Sequence, residues 1–268
     1  MQVTGNVFVV TGGGNGIGRE VVLGLLDRGA RVAAVDLSAD GLAETASIAR
    51  AADRLSTHTV DITDRGAVDA LPEAVHAAHG RVDGLLNVAG IIQPFVRFAE
   101  LEPRQMEKVM AVNFWGVVHT TQAFLPHLTT RREAAVVNVS SMGALAPVPG
   151  QSVYGASKAA VMLLTEALYA ELRDTTVSVT VVFPGGVATH IAENSGASIP
   201  GRSADAADSA GSLTTAPDAA RQIIEKGVEK GHFRVVIGKD AIMLDRLSRL
   251  SPRRATELIA KKMESLLS

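Results

Sequence analysis

The chain has 268 residues, with 26 lysines and arginines against 28 aspartates and glutamates, a formal net charge of -2 and a pI near 6.4. That balance leaves no basic footprint for nucleic acid, and the lack of cysteine excludes disulfides, thiolate metal sites and a cysteine nucleophile. No apolar run reaches the roughly 18 residues of a transmembrane helix, and a strand pattern starts so near Met1 that no signal peptide is expected, which points to a soluble, cytoplasmic protein.

In chain order, Asn6 to Thr11 (NVFVVT) is a short uncharged apolar run, the pattern of a strand buried on both faces. A glycine-rich turn, a helical stretch to about Asp27 and a second strand, Arg31 to Val35, follow. Further strands are predicted at Thr57 to Val60, Val82 to Asn87, Ala134 to Val139, Val177 to Phe183 and Phe233 to Ile237. Between them helices are predicted near 40–53, 64–79, 104–128, 152–173 and 217–230. Pro72 should kink or split the 64–79 helix, since proline lacks the needed N–H; Pro126 falls near the end of 104–128, where a break is tolerable. This alternation predicts an α/β fold: one domain over residues 1–250, a doubly wound parallel sheet of about seven strands with helices on both faces. Ala192 to Thr215, rich in Ser, Ala, Gly and Asp, reads as a long loop, expected to act as a lid within residues 190–216.

The first strand runs directly into TGGGNGIG, with Gly12, Gly13, Gly14, Asn15, Gly16, Ile17 and Gly18 opening a helix. Glycines there let the backbone approach a diphosphate, and the free N–H groups of the helix N-terminus stabilise its charge. Asp36, at the end of the second strand, is placed to accept the ribose hydroxyls of an adenosine and to repel a 2′-phosphate. Leu37 rather than arginine follows it, and none of residues 12–18 is basic. The expected cofactor is therefore NAD rather than NADP.

The run SSMGALAPVPGQSVYGASK carries the second piece of chemistry. Tyr154 and Lys158 are four apart and share one helix face. An ammonium one turn away favours the phenolate and is expected to lower a phenol pKa of roughly 10. Ser141, brought in from the preceding strand end, can hold a substrate oxygen beside the phenol. Together these make a proton-transfer site beside a hydride carrier.

With these motifs in place, residues 5 to about 190 resemble the short-chain dehydrogenase/reductase family and its Rossmann-like fold. The family's TGxxxGxG pattern is met by Thr11, Gly12, Gly16 and Gly18, and its NNAG motif by Asn87, Val88, Ala89 and Gly90, with valine at the second asparagine. The resemblance implies an active tetrad of Asn113, Ser141, Tyr154 and Lys158, in which Asn113 joins the lysine in a proton relay and Lys158 also holds the nicotinamide ribose. It further implies cofactor contacts from Asp61 and Ile62 at the adenine, from Asn87, Ala89 and Gly90, and from Pro184, Gly185, Val187 and Thr189 at the nicotinamide. Substrate contacts in relatives follow the fourth to sixth strands, here Ile91, Ile92, Gln93 and Phe95, then Met142, Ala144, Leu145, Val148 and Gln151, then His190 onward. Their apolar character suits a hydrophobic alcohol or ketone. Relatives associate through the helices at 104–128 and 152–173, which implies a homotetramer or homodimer.

The implied activity is reversible oxidation of a secondary alcohol to a ketone with NAD. An NADPH-dependent carbonyl or 3-ketoacyl reductase is the alternative within the class, and a catalytically silent dinucleotide-binding redox sensor the alternative outside it. Phe114 and Trp115 are expected in a helix or subunit interface, and His76 and His79 on a solvated face, with no metal site. From Ser251 and Pro252 an amphipathic helix is predicted to about Leu267, with Ala255, Leu258, Ile259, Met263, Leu266 and Leu267 on one stripe and Arg253, Arg254, Lys261 and Lys262 among its cations. This extension, 251–268, can pack on its own domain or a partner subunit, lie on an anionic membrane or guide an acidic carrier.

Overall fold

Along the first strand, β1 (Val7–Thr11), successive side chains feed two different cores. Phe8 and Val10 enter one cluster, with Val21, Val22, Leu25, Ile223 and Ile224. Val7 and Val9 enter the other, with Val68, Leu71, Val75, Phe124 and Leu128. All five β1 residues are buried, which explains why the run has no polar alternation.

The computed structural model describes residues 1–51, 53–189, 191–198, 200 and 213–267. Its elements are β1, α1 (Gly16–Asp27), β2 (Arg31–Asp36), α2 (Ala39–Ala49), β3 (Leu55–Thr59), α3 (Arg65–His79), β4 (Gly84–Asn87), α4 (Pro103–Met110), α5 (Gly116–Leu128), β5 (Ala134–Val139), α6 (Ser152–Leu172) and β6 (Val177–Pro184). There follow β7 (Val187–Ala188), α7 (Ile191–Asn194), β8 (Thr214–Thr215), α8 (Ala216–Gln222), β9 (Arg234–Ile237), α9 (Lys239–Leu250) and α10 (Pro252–Lys262). The main sheet is seven-stranded in the order β3-β2-β1-β4-β5-β6-β9. Every pairing in it is parallel. The strand order reverses between β1 and β4, which opens a crevice at their carboxyl ends.

The sheet centre is polar by design. Asn87 Nδ2 donates to Asn138 Oδ1 at 2.9 Å and to Thr121 Oγ1, Thr120 donates to Asn87 Oδ1, and Asn138 Nδ2 donates to Thr165. These buried groups satisfy one another, so the sheet keeps its cross-strand side-chain bonds although Val88 stands at the second asparagine.

Four local expectations change. Helix α3 runs through Pro72 without splitting, because Val68, Leu71, Pro72 and Val75 are buried along one stripe and that packing outweighs the lost N–H. The stretch predicted at 104–128 divides into α4, a π-helical turn at Ala111–Trp115, and α5. The 217–230 stretch likewise passes from α8 into a π-helical segment, Ile223–Glu229. Helix α9 fills the stretch between the last strand and the extension, where the sequence predicts no element.

The extension packs back on its own chain. Ala255 and Ile259 of α10 join Met142, Ala146, Ala241 and Leu244 in a third cluster, with Met263 against it. Residues 201–212, the middle of the expected lid, and His190 lie outside the described residues. Among the described residues no helix is long and apolar enough to cross a membrane.

Candidate active site

A cleft of about 510 Å³ lies at the carboxyl ends of the central strands. At one end, Gly12 (φ +73°) and Gly16 (φ +52°) take the left-handed conformation that favours glycine. A side chain on Gly12 would come within 2.9 Å of the Ala89 backbone, and one on Gly18 would collide with the Gly12 carbonyl. Only glycine permits this tight strand-to-helix turn, which leaves the N-terminus of α1 open to the cleft. Gly12, Asn15, Gly16, Ile17 and Gly18 line it; Gly14 does not. Gly14 instead donates its N–H to Asp36 Oδ2 at 2.9 Å, while Ser38 N–H donates to Oδ1. Gly14 therefore holds the carboxylate that lines the cleft. Asp36, Asp61 and Ile62 all line the same end, and Asp61 is fixed by Thr63, whose N–H and hydroxyl both donate to Oδ1.

Arg19 is not available to this end. Its guanidinium donates to the Gly14 carbonyl, Thr45 Oγ1 and Glu44, where it forms an ion pair that holds the Glu44 carboxyl below its usual range.

Thr11 Oγ1 accepts the N–H groups of Val88 and Ala89 and so pins the turn after β4 to the end of β1. Val88, Ala89 and Gly90 line the cleft, but Asn87 does not, because its side chain is engaged in the sheet network. Pro184, Gly185, Val187 and Thr189 reach the far side. Asp240 of α9 accepts the Gly186 N–H at 2.8 Å and clamps that turn, a role invisible in the sequence because the two residues are 54 apart and meet only on folding.

Three of the four residues of the expected tetrad meet at the other end. Ser141, Tyr154 and Lys158 line the cleft and are all substantially removed from solvent, Lys158 at 3% exposure. Ser140 also lines it, but its hydroxyl donates to the Lys158 carbonyl at 2.7 Å, so the serine hydroxyl bonded to Tyr154 is that of Ser141, whose Oγ also accepts the Gly143 N–H at 3.1 Å. Asn113 is fully buried in the π-helical turn. Its Oδ1 accepts from Ile91 N–H and its Nδ2 donates to the Ile91 carbonyl and to Ser157 Oγ. A side chain on Gly90 would come within 3.0 Å of Lys158 Nζ and 3.3 Å of Asn113 Oδ1, so the amine and the amide flank one backbone position.

The electrostatics differ from the expected lowering at Tyr154. Burial pushes the phenol above its ordinary value, and a hydrogen bond from Ser141 pulls the other way. The same burial draws Lys158 down to about 8, while its ammonium donates to the Val139 carbonyl. Desolvation penalises both charged forms, and this outweighs the expected help from charge proximity.

Of the expected substrate contacts, Ile92 lines the cleft, together with Ile91, Ile191 and Asn194. Met142, Leu145, Val148 and Gln151 do not. Met142 and Val148 turn toward the α9–α10 cluster, and the Gln151 amide donates to the Gln93 carbonyl. Ser195 Oγ accepts the Ile92 N–H at 3.0 Å and donates to the Ile191 carbonyl, tying the start of the 190–216 segment to the substrate end. His79 hydrogen-bonds with Ser56, which also meets His58, so His79 is engaged at the sheet edge rather than solvated. Trp115 is 51% exposed, in edge contact with Phe114 and in a tilted contact with His119.

Comparison with known proteins shows the family of the chain. The family model described as short chain dehydrogenase matches residues 6–199. The chain is 38% identical to a Mycobacterium tuberculosis protein named as oxidoreductase SadH, over 96% of this chain and 94% of that one. A short chain dehydrogenase/reductase from Burkholderia phymatum, solved in complex with NAD, matches with a TM-score of 0.84 and 28% identity, covering 96% of this chain and 97% of that one. A short chain dehydrogenase from Burkholderia cenocepacia, solved in complex with NADP, matches with a TM-score of 0.80 and 25% identity, covering 97% and 99%.

Proposed function

Since the chain belongs to the short-chain dehydrogenase/reductase family, oxidoreductases that act on CH–OH groups with NAD(P), we propose that it interconverts a hydrophobic secondary alcohol and its ketone using NAD. The observation that carries the cofactor choice is Asp36, whose carboxylate is held in the cleft by the Gly14 and Ser38 N–H groups. A fixed anion there accepts ribose hydroxyls and repels a 2′-phosphate, and Arg19, the nearby cation of the motif, is tied to Glu44. The glycine turn fits a diphosphate, because side chains at Gly12 or Gly18 would fill or distort it.

The bound nicotinamide supplies the hydride acceptor or donor. The protein's own residues do the rest. Ser141 orients the substrate oxygen and stabilises the charge that develops on it. Tyr154 takes the hydroxyl proton in oxidation and returns it in reduction. Lys158 supplies positive charge beside the phenol, and Asn113 secures the Ile91 backbone next to it. Ile91, Ile92 and Ile191 give the substrate end its apolar wall.

Turnover of a panel of hydrophobic secondary alcohols and ketones, with NAD and NADP in parallel, tests the proposal. A lower Michaelis constant for NADP would refute the cofactor choice, and Asp36→Ala should narrow the preference for NAD. A homotetramer built through α4, α5 and α6 belongs to the same proposal, supported by Trp115 and Leu163, large apolar side chains 51% and 65% exposed on that face.

A further inference from the structure

Helix α6, which carries Tyr154 and Lys158, begins without a cap of its own. The residue at its N-cap, Gln151, makes no side-chain bond to the first turn, although the first N–H groups of any helix lack intrahelical partners. The missing acceptor comes from another element. Gln93, in the segment after β4, is fully buried. Its Oε1 accepts the N–H of Val153 at 2.9 Å and of Tyr154 at 3.0 Å, the positions a local cap would satisfy. Its Nε2 donates to the Gly150 carbonyl at 2.9 Å, and its own carbonyl accepts from Gln151 Nε2 at 2.7 Å. One side chain and its backbone thus grip the whole turn that leads into the helix.

The grip closes into a ring around Tyr154. Two residues before Gln93, Ile91 is held at both its N–H and its carbonyl by Asn113. Asn113 also donates to Ser157 Oγ, and Ser157 donates to the Tyr154 carbonyl at 2.7 Å. The segment 91–93 therefore fixes the Tyr154 backbone from its N–H side through Gln93 and from its carbonyl side through Asn113 and Ser157.

We propose that Gln93 is a positioning residue that caps the catalytic helix from a separate element and so holds the Tyr154 phenol in register with Ser141. Gln93 does not line the cleft, so it acts through Tyr154 and touches neither cofactor nor substrate. The amide is suited to the place: it supplies the acceptor for two N–H groups and the donor for the Gly150 carbonyl without burying a charge. Glutamate would keep the acceptors and lose the donor; methionine would lose both. The inference rests on the reading of Tyr154 as the proton carrier.

The test compares Gln93→Met and Gln93→Glu with the parent enzyme. If the cap sets the phenol's register, Gln93→Met lowers kcat on the order of a hundredfold, the cost typical of a misplaced catalytic group. The Michaelis constant and NADH affinity should change little, and Gln93→Glu should recover much of the loss. A Gln93→Met protein with parental kcat, or one that loses kcat and NADH binding together, would overturn it. A readout free of any substrate comes from tyrosinate absorbance. The chain has two tyrosines, so in a Tyr169→Phe background the signal reports Tyr154 alone. The charged groups lining the cleft with it are Lys158, Lys108, Asp36 and Asp61, and none changes in these variants. Gln93→Met should move the titration midpoint upward as the Ser141 bond loosens; an unmoved midpoint argues against the role. If Gln93→Met does not fold, amide exchange in the parent protein decides. Val153 and Tyr154 must be protected like Gly155, whose N–H makes the helix's own bond to Gln151, and fast exchange at both would end the proposal. Absence of turnover by the parent on every substrate would count against the proposed function alone, because the absorbance and exchange measurements still judge Gln93.

Discussion

Tyr154 and Lys158 sit where burial and chemistry oppose each other. Under the proposed role of Tyr154 as proton carrier, Tyr154→Phe is expected to leave less than about a tenth of the activity while NADH binding stays near the parental value. Kinetics together with fluorescence titration check this. Lys158 makes a separate prediction about stability. Its folded value of about 8 lies below the roughly 10.4 of an unfolded lysine. Between those values the unfolded chain holds the extra proton, so stability rises with pH across the window. The burial penalty is fully present below it and gone above it, and is on the order of 3 kcal/mol. Lys158→Met removes that penalty and leaves the Val139 carbonyl without its donor. At pH 7 the variant should lose turnover yet melt at or above the parent temperature, with the parent gaining on it as the pH rises toward 10. Calorimetry at two pH values settles the sign, and a variant that melts well below the parent at pH 7 would show that the ammonium is compensated.

At the scale of elements, the site depends on pieces that make no contact with the reacting atoms. The π-helical turn at Ala111–Trp115 turns Asn113 inward, so that a residue mildly unfavourable in a helix becomes a buried clamp on Ile91. Helix α9 holds the Gly185–Gly186 turn through Asp240. Helix α10 backs the loop that starts at Met142, next to Ser141. Ile259→Ala is therefore expected to cost about 2–4 kcal/mol, the range for an aliphatic core truncation, and to weaken turnover as the Met142 loop relaxes. Urea unfolding and kcat measured on the same preparation test the link. Deleting residues 251–268 should be harsher and expose the Met142, Ala146 and Leu244 surface. Parental stability after that deletion would mean that the extension merely rests on the domain.

At the scale of the whole molecule, the exposed Trp115 and Leu163 predict association through α4, α5 and α6. Light scattering should give a tetramer, and Trp115→Arg should shift it to a smaller species. The sheet and the glycine turn are legible from the chain alone, because both depend on local rules. Continuous apolar runs such as Val7–Thr11 have no amphipathic alternative, and Gly12, Gly16 and Gly18 occupy positions that any Cβ would crowd or strain. The sequence also places Ser141, Tyr154 and Lys158 within one short run, so their meeting required only a strand end and a helix start. Whatever depends on a partner distant in the chain emerges only on folding. Asn87 faces Asn138, 51 residues away, instead of the cleft. Gln93, grouped with the substrate residues by its position after β4, reaches 61 residues along to Tyr154 and becomes a cap. Tyr154 is raised rather than lowered because burial, which no spacing records, governs the cost of its charge. Periodicity and motif report which groups a segment offers; hydrogen-bond partners and solvent exclusion arise only when the segments pack.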